Sequence, residues 1–372
     1  MLKIGVLGGG NGAFITAADL ALRGFNVNIC ETPRFENNIA LARDKGKIQL
    51  EVRGNLPIKS GFAKMNKITI DIKEAVKDRD IIFVVVPAFA QKIFAEWGAE
   101  IFSPEQIIVL EPGNFGGSLE FAEILKKKCV NKKLPIFVEF ECMIYSGFKN
   151  DSGSVWVSGY KKGLKMAAYP GKLTNFALET LTKVYPELSP ADNIIETGLS
   201  NGNSVAHAPI LALNAGWAEN QDMEPFLFYW QGCTSGVGRV VEGVDEERLA
   251  LGKALGIQLF SEKEMTLKYY SYQGAHGETI SEIYRTNPVY EWDYAPKTFQ
   301  HRFFLEDVPY GMVPMENLGK ILKVKTPLIT AIIEIASRLT NQDLRSQGRD
   351  FRRLGLQDIS KEDLLDRVRT GI

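Results

Sequence analysis

Several features that mark particular classes of protein are scarce in this sequence. Only four cysteines occur in 372 residues, and their spacing shows no pairing, which argues against a disulfide framework and a zinc site. The 44 basic and 45 acidic residues give a net charge of -1, so the overall charge favours neither nucleic acid nor an acidic membrane surface. The longest apolar run, Ile81 to Ala90, is about half the length that crosses a bilayer. We therefore expect no metal, no nucleic-acid partner and no membrane partner.

The sequence also lacks a charged and apolar leader, because it opens directly into a predicted strand. Together with the scattered cysteines, this predicts a reducing, cytoplasmic location. The length and the 45% hydrophobic content are sufficient for a large core and favour two domains over one.

What the sequence does contain is a glycine-rich opening. A short apolar strand from Ile4 to Leu7 runs into a glycine-rich turn, and the amphipathic helix that follows is ended by Gly24. Gly8 permits a sharp turn, Gly10 leaves the backbone open to a pyrophosphate, and Ala13 allows helix and strand to pack closely. The helix N-terminus would then face the phosphates. The residues of this turn predicted to bind a dinucleotide are Gly8, Gly10, Asn11, Gly12 and Ala13.

An acidic residue follows the second predicted strand, Val27 to Cys30. This residue, Glu31, lies nineteen positions after Gly12, where a carboxylate would accept the adenosine ribose hydroxyls. A carboxylate also repels a 2′-phosphate, which favours NAD, but Arg34 could neutralise that phosphate, so NADP stays open.

Strands and helices alternate through the rest of the N-terminal half. Further strands are predicted over 81–86, 106–110 and 135–140, with helices over 89–101 and 118–129. Runs that are apolar on both faces are typical of a parallel sheet covered by helices, so we predict an α/β, doubly wound fold. Pro87 and Ala88 follow one strand end and are expected to line the cofactor site. Two later strands, 154–158 and 164–168, are compatible with a hairpin.

A cluster of prolines around Pro186 and Pro190 marks the predicted domain boundary. It divides the chain into a dinucleotide-binding domain over 1–187 and a substrate and catalytic domain over 188–372. Beyond the boundary the periodicity is helical, which predicts a mostly α second domain.

Three histidines are candidates for the proton donor that a nicotinamide enzyme needs when it acts on a C=O or C=N bond. His207 lies in the first long helical segment of the second domain, and Asn203, four residues earlier, would share its helix face. A histidine buried only for packing is the alternative interpretation of His207. His276 and His301 are predicted to be surface or loop residues.

A second group of candidates lies near the C-terminus, in the segment Arg302 to Gly311. Arg302 has a guanidinium suited to bidentate binding of a carboxylate, and Asp307 is an acid that could orient an imidazole. An arginine and an aspartate that only pair with one another are the alternative.

These motifs together resemble the octopine/nopaline (opine) dehydrogenase family. The resemblance rests on GGNGAFITAADLALRGF, VPAFA, EPGNFGGSLEF, NxxxH and RFFLEDVPYGMVP, and extends over nearly the whole chain. It implies a Rossmann domain followed by a helical domain of the 6-phosphogluconate dehydrogenase C-terminal type. It also implies an NAD(P)-dependent oxidoreductase acting on CH–NH bonds, which reductively joins an amino acid to a 2-oxo acid, often pyruvate, and catalyses the reverse oxidation.

The resemblance further implies that His207 and Asp307 form the catalytic pair and that Arg302 binds the oxo acid. Asn203, on the predicted helix face of His207, is a second predicted substrate contact. The chain departs from the family where Ala208 separates the histidine from a proline, and where Phe148-Lys149 replaces a common arginine.

Two alternatives remain open at this stage. One is a related reductase of the ketopantoate or 6-phosphogluconate type, in which a lysine early in the helical domain donates the proton; between Asp192 and Asn220 this chain has no lysine. The other is a protein that senses NADH without chemistry. A homodimer is an open possibility for the assembly.

Overall fold

The computed structural model describes residues 1–130 and 132–371, so the last residue of the predicted second domain lies outside the described residues. The chain forms two compact units. The first contains Met1–Gly113, Gly117–Ile194 and Arg369–Gly371, and the second contains Asn114–Gly116 and Ile195–Val368. The change of unit after Ile194 falls seven residues beyond the predicted boundary.

The first unit is built from strands and helices in alternation. Its strands are β1 (Lys3–Leu7), β2 (Asn26–Cys30), β3 (Lys47–Val52), β4 (Gly61–Lys64), β5 (Lys67–Thr69), β6 (Ile81–Val84), β7 (Ile107–Leu110), β8 (Ile136–Phe140), β9 (Tyr145–Lys149), β10 (Val155–Tyr160), β11 (Lys165–Tyr169) and β12 (Ser189–Pro190). Its helices are α1 (Asn11–Leu22), α2 (Ala40–Lys45), α3 (Ile72–Val76), α4 (Ala88–Gly98), α5 (Gly117–Lys128) and α6 (Thr174–Leu181).

The main sheet has the strand order β12-β11-β8-β7-β6-β1-β2-β5. The six strands from β8 to β5 pair in parallel, and β11 joins them antiparallel to β8. Strands β1, β6 and β7 are almost wholly buried, as expected for a sheet covered on both faces. The predicted α/β fold with a doubly wound parallel sheet is confirmed.

The strand order reverses between β1 and β6, which pair with Leu7 opposite Val84. The chain adds β2 and β5 on one side of β1 and then adds β6, β7 and β8 on the other. Ligands of open α/β sheets bind outside the carboxyl ends of the strands at such a reversal. The glycine turn after β1 and the Pro87-Ala88 segment after β6 both lie at this point of the sheet.

The two later strands, which were compatible with a hairpin, do not pair with each other. Strand β10 belongs to a second sheet with the order β4-β3-β10-β9, whereas β11 belongs to the main sheet. Residues Met166 to Tyr169 of β11 are all buried, which suits the covered main sheet. The segment 161–164 therefore connects two sheets and is not a hairpin turn.

The second unit is helical. Its helices are α7 (Ile194–Leu199), α8 (Asn203–Leu213), α9 (Ala215–Ala218), α10 (Ser235–Leu255), α11 (Glu262–Tyr270), α12 (Ile280–Thr286), α13 (Arg302–Leu305), α14 (Val313–Leu322), α15 (Pro327–Thr340), α16 (Leu344–Gln347) and α17 (Lys361–Thr370). The long α10 begins at a Thr234 cap and ends at Gly256, which has a φ of 80°. Within the described residues, no helix is long and apolar enough to span a membrane.

Candidate active site

The glycine turn of the first unit has an open backbone. Gly8 adopts a φ of 128°, and a Cβ there would lie 2.5 Å from the carbonyl oxygen of Val85, so only glycine fits. A Cβ at Gly10 would meet nothing within 4 Å. Gly10 also precedes the first turn of α1 and has no side chain to cap it. The backbone N–H groups at this helix end therefore suit a pyrophosphate.

Packing explains the small residues that follow. A Cβ at Gly12 would lie 2.0 Å from the Met143 methyl, and Ala13 is completely buried. Asn11 is exposed, and its side-chain oxygen accepts the backbone N–H of Lys149 at 3.0 Å. Other side chains therefore pack tightly against the turn at Gly12 and Ala13, whereas no described residue covers the backbone at Gly10.

The carboxylate of Glu31 lies beside this turn, immediately after β2. Its oxygens accept the N–H of Thr32 at 2.7 Å and the amide of Asn38 at 3.4 Å. A Cβ at Gly9 would lie 2.8 Å from Glu31 Oε2, which shows how closely the turn and the carboxylate pack. Arg34 is exposed, with its guanidinium 5.5 Å from the centre of the Phe35 ring.

The segment after β6 reaches the same end of the sheet. Pro87 precedes α4, and Ala88 is its completely buried first residue. These two residues and the glycine turn are therefore neighbours in the first unit through the pairing of β1 with β6.

In the second unit, His207 is held at both ring nitrogens. Its Nδ1 lies 2.7 Å from Asp307 Oδ2, and its Nε2 lies 2.7 Å from the Tyr229 hydroxyl. A carboxylate only accepts hydrogen bonds, so Nδ1 donates to Asp307 and Nε2 accepts from Tyr229 in the neutral ring. Burial raises the pKa of Tyr229 well above its usual range, which keeps the hydroxyl protonated.

Aromatic side chains surround this imidazole. The Phe303 ring stacks on His207 with 4.1 Å between ring centres, and Phe228 approaches edge-on at 6.0 Å. Tyr229 in turn stacks on Tyr290 at 3.9 Å. His207 itself is 7% exposed. The ring is therefore fixed in orientation and largely shielded from water.

The backbone around Asp307 is unusual. A single π-helical turn, Val308–Met312, follows it and links α13 to α14. Such turns are rare and occur often at functional sites. Helix α8 begins at Asn203, so Asn203 and His207 do lie in one helix.

Arg302 is not the partner of Asp307. Its Nε forms an ion pair with Glu306 Oε2 at 3.0 Å, while the side chain remains 39% exposed. Glu306 is buried and also accepts the amide of Asn114 at 3.2 Å, and Asn114 accepts the amide of Asn201 at 2.7 Å. The alternative in which Arg302 and Asp307 only pair with each other does not fit this geometry.

The other two histidines have different surroundings. His276 is exposed, and its Nδ1 lies 2.7 Å from the carbonyl of Gly274. His301 precedes α13, and burial, with Arg302 and His207 nearby, lowers its pKa to about 4. It is therefore neutral at physiological pH.

The sequence interpretation missed two residues at this site. Tyr229 has no motif around it that distinguishes it from the other tyrosines, and only the fold brings it to His207. Glu306 lies four residues after Arg302, which is the spacing of an ion pair where the chain is helical, but no helix was predicted there and only the structure shows α13.

Known proteins are similar to this chain in sequence and in fold. Residues 190–340 match the family model of the NAD/NADP octopine/nopaline dehydrogenase alpha-helical domain. The chain is 35% identical to an opine dehydrogenase from Arthrobacter sp. (strain 1C), with 95% of each chain covered. An octopine dehydrogenase structure with NADH and pyruvate has a TM-score of 0.78 at 20% identity, covering 100% of this chain and 98% of that one. A yersinopine dehydrogenase structure with NADP⁺ has a TM-score of 0.71 at 15% identity, covering 99% and 97%.

The similarity to the Arthrobacter enzyme extends over both units, and the family model matches most of the helical one. The chain belongs to the opine dehydrogenase family, the NAD(P)-dependent oxidoreductases that act on CH–NH bonds.

Proposed function

We propose that this protein joins the amine of an amino acid to the carbonyl of a 2-oxo acid, and that His207 carries the proton transfers. The observation that supports this role is the double hydrogen bond of the imidazole, 2.7 Å to Asp307 and 2.7 Å to Tyr229. A histidine that only filled space in the core would need neither a buried carboxylate nor an aromatic clamp.

The amine and the oxo acid first form an adduct with a hydroxyl on the former carbonyl carbon. Protonated His207 donates its Nε2 proton to that hydroxyl, the C–O bond breaks, water leaves and a C=N bond forms. Asp307 stabilises the charged imidazole and keeps Nε2 directed away from itself. When bound, NADH supplies the hydride that reduces the C=N carbon to a secondary amine.

Tyr229 takes part in the proton transfer from His207. In the resting protein its hydroxyl donates to Nε2, so the substrate must either replace this hydroxyl or receive the proton through it. Phe303 and Phe228 restrict water around the ring, which strengthens the electrostatic effect of Asp307.

Arg302 is proposed to bind the carboxylate of the oxo acid. Its side chain is 39% exposed beside the ion pair with Glu306, and a guanidinium is suited to bidentate binding of a carboxylate. Asn203 is a second proposed substrate contact because it lies one helical turn before His207. Pyruvate is the first oxo acid to test, since it is bound in the octopine dehydrogenase structure.

NAD is the proposed preferred cofactor, held by the glycine turn, by Glu31 and by the Pro87-Ala88 segment. The buried carboxylate of Glu31 would accept ribose hydroxyls and repel a 2′-phosphate. Arg34 is exposed and would support some use of NADP. A cytoplasmic location is also proposed, supported by four buried cysteines that form no disulfide in the described part of the chain.

A matrix of amines and 2-oxo acids, followed by NADH absorbance, tests the function. We expect NADH oxidation only when both an amine and an oxo acid are present. Oxidation with an oxo acid alone would favour a reductase, and binding of NADH without turnover under any pair would favour a sensor. His207→Ala should abolish most of the turnover, while His276→Ala, at an exposed histidine, should leave it unchanged.

A further inference from the structure

Lys149, the last residue of β9, lies against the glycine turn. Its ammonium donates to the carbonyl oxygens of Gly9 at 3.0 Å and of Asn38 at 2.7 Å. The same ammonium lies 4.5 Å from the centre of the Phe14 ring, in the first turn of α1. Three contacts from separate segments thus fix the position of one positive charge.

The charge of this ammonium is not neutralised by the groups that it touches. Both acceptors are uncharged backbone carbonyls, and they use two of its three N–H donors. Burial lowers the pKa of Lys149, and the nearby carboxylate of Glu31 opposes that effect. A half-buried cation with a donor to spare is therefore placed beside the turn.

The neighbours of Lys149 are the groups that would hold the two ends of an adenosine diphosphate. Gly10, which is open on its outer side, directly follows the Gly9 carbonyl to which the ammonium donates. On the other side, Asn38 connects the ammonium to Glu31, because its amide donates to that carboxylate. The cation lies between the proposed pyrophosphate site and the proposed ribose site.

We propose that Lys149 binds a phosphate group of the adenine dinucleotide. A lysine ammonium is a point charge suited to phosphate oxygens, and it would add to the effect of the α1 N-terminus. This inference rests on the proposed cofactor role of the glycine turn. It assigns a role in cofactor binding to Lys149, one of the two residues that replace a common arginine of the family.

The test is direct binding of NADH and of NADPH, measured by fluorescence titration at several salt concentrations. Lys149→Met should raise the dissociation constant of NADH about tenfold, because a charged hydrogen bond is lost. It should also weaken the salt dependence of binding, since one phosphate contact fewer is made. Lys149→Arg keeps the charge and should retain the salt dependence, and Lys126→Met, at an exposed lysine in the last turn of α5, should change neither.

The two nucleotides distinguish the two possible phosphates. Equal weakening of NADH and NADPH by Lys149→Met is the expected result and assigns the contact to the pyrophosphate. Weakening of NADPH alone would contradict the loss expected for NADH and would assign the contact to the 2′-phosphate instead. If Lys149→Met binds both NADH and NADPH with dissociation constants within twofold of wild type, the proposal is overturned. So would weaker binding with an unchanged salt dependence, because that result describes a purely structural lysine.

Circular dichroism and melting temperature identify any variant that does not fold. If Lys149→Met does not fold, nucleotide binding by Lys149→Arg is compared with that of the wild type. Failure of the proposed cofactor role would look different, because the wild-type protein itself would bind neither nucleotide.

Discussion

Replacing Asp307 by asparagine tests the acid–base assignment with little change of shape. Asp307 is 2% exposed, and its Oδ2 lies 2.7 Å from His207 Nδ1. Its other oxygen, Oδ1, makes no hydrogen bond within the described part of the chain. An amide can fill the same space, but it carries no charge and can present an N–H to the ring.

The expected loss follows from the distance. With 2.7 Å between the bonded atoms, the imidazolium and carboxylate charges are centred about 4 Å apart. At an effective dielectric constant of about 20, their attraction is about 4 kcal/mol. Removing that stabilisation from a step in which the ring is charged lowers kcat by about 10³-fold. An asparagine N–H directed at Nδ1 would move the ring proton to Nε2 and add to the loss.

The assay is steady-state NADH oxidation at saturating amine and oxo acid, with the dissociation constant of NADH measured separately. Asp307→Asn should lower kcat and leave NADH binding unchanged, and Asp222→Asn, in an exposed loop, serves as the matched control. Tyr229→Phe removes only the hydroxyl on Nε2 and measures the contribution of that contact. A kcat for Asp307→Asn within tenfold of wild type would refute the role of the pair.

Two other predictions concern the substrate and the stability of the fold. Arg302→Ala should raise the KM of the oxo acid about 10- to 100-fold, because a charged hydrogen bond to the substrate carboxylate is lost. The control Arg239→Ala, at an exposed position of α10, should leave that KM unchanged. An unchanged KM for Arg302→Ala would exclude Arg302 from carboxylate binding. Burial raises the pKa of Glu111 from 4.5 to about 7. The folded protein therefore binds a proton between these values that the unfolded chain does not, and stability falls as the pH rises through that window. In denaturant unfolding, Glu111→Gln should raise the unfolding free energy at pH 8 by about 3 kcal/mol more than at pH 5, and an equal effect at both would contradict this.

The nucleotide end of the protein could be predicted from local sequence. Strand β1, the glycine turn, α1 and β2 are consecutive, so their periodicity and their glycines specify the local conformation. The apolar runs also predicted that these strands form one parallel sheet, but the pairing of β1 with β6 is a finding of the structure. The mostly helical character of the second unit was also predicted, because long amphipathic segments have a clear period.

The second sheet could not be predicted in the same way. Strand β3 alternates apolar and polar residues, but its partners β4 and β10 are far apart in the chain. The sequence of a single strand does not show which sheet the strand joins. Its pairing depends on the apolar faces of other strands, which lie far away in the chain. For that reason the sequence was compatible with a hairpin of β10 and β11, whereas these strands lie in different sheets.

The sequence by itself determined that this chain has a doubly wound unit with an open glycine turn, and which residue types could carry acid–base chemistry. It also indicated His207, Asp307 and Arg302 through a resemblance between motifs. Only the tertiary structure placed Asp307 beside His207, whereas the adjacent Glu306 forms a local ion pair with Arg302, four residues before it. The tertiary structure likewise brings the Tyr229 hydroxyl to His207 Nε2 and the Lys149 ammonium to the glycine turn. The physical reason is that turns and helices depend on neighbours in the chain, whereas a hydrogen bond over 100 residues depends on the packing of the whole unit.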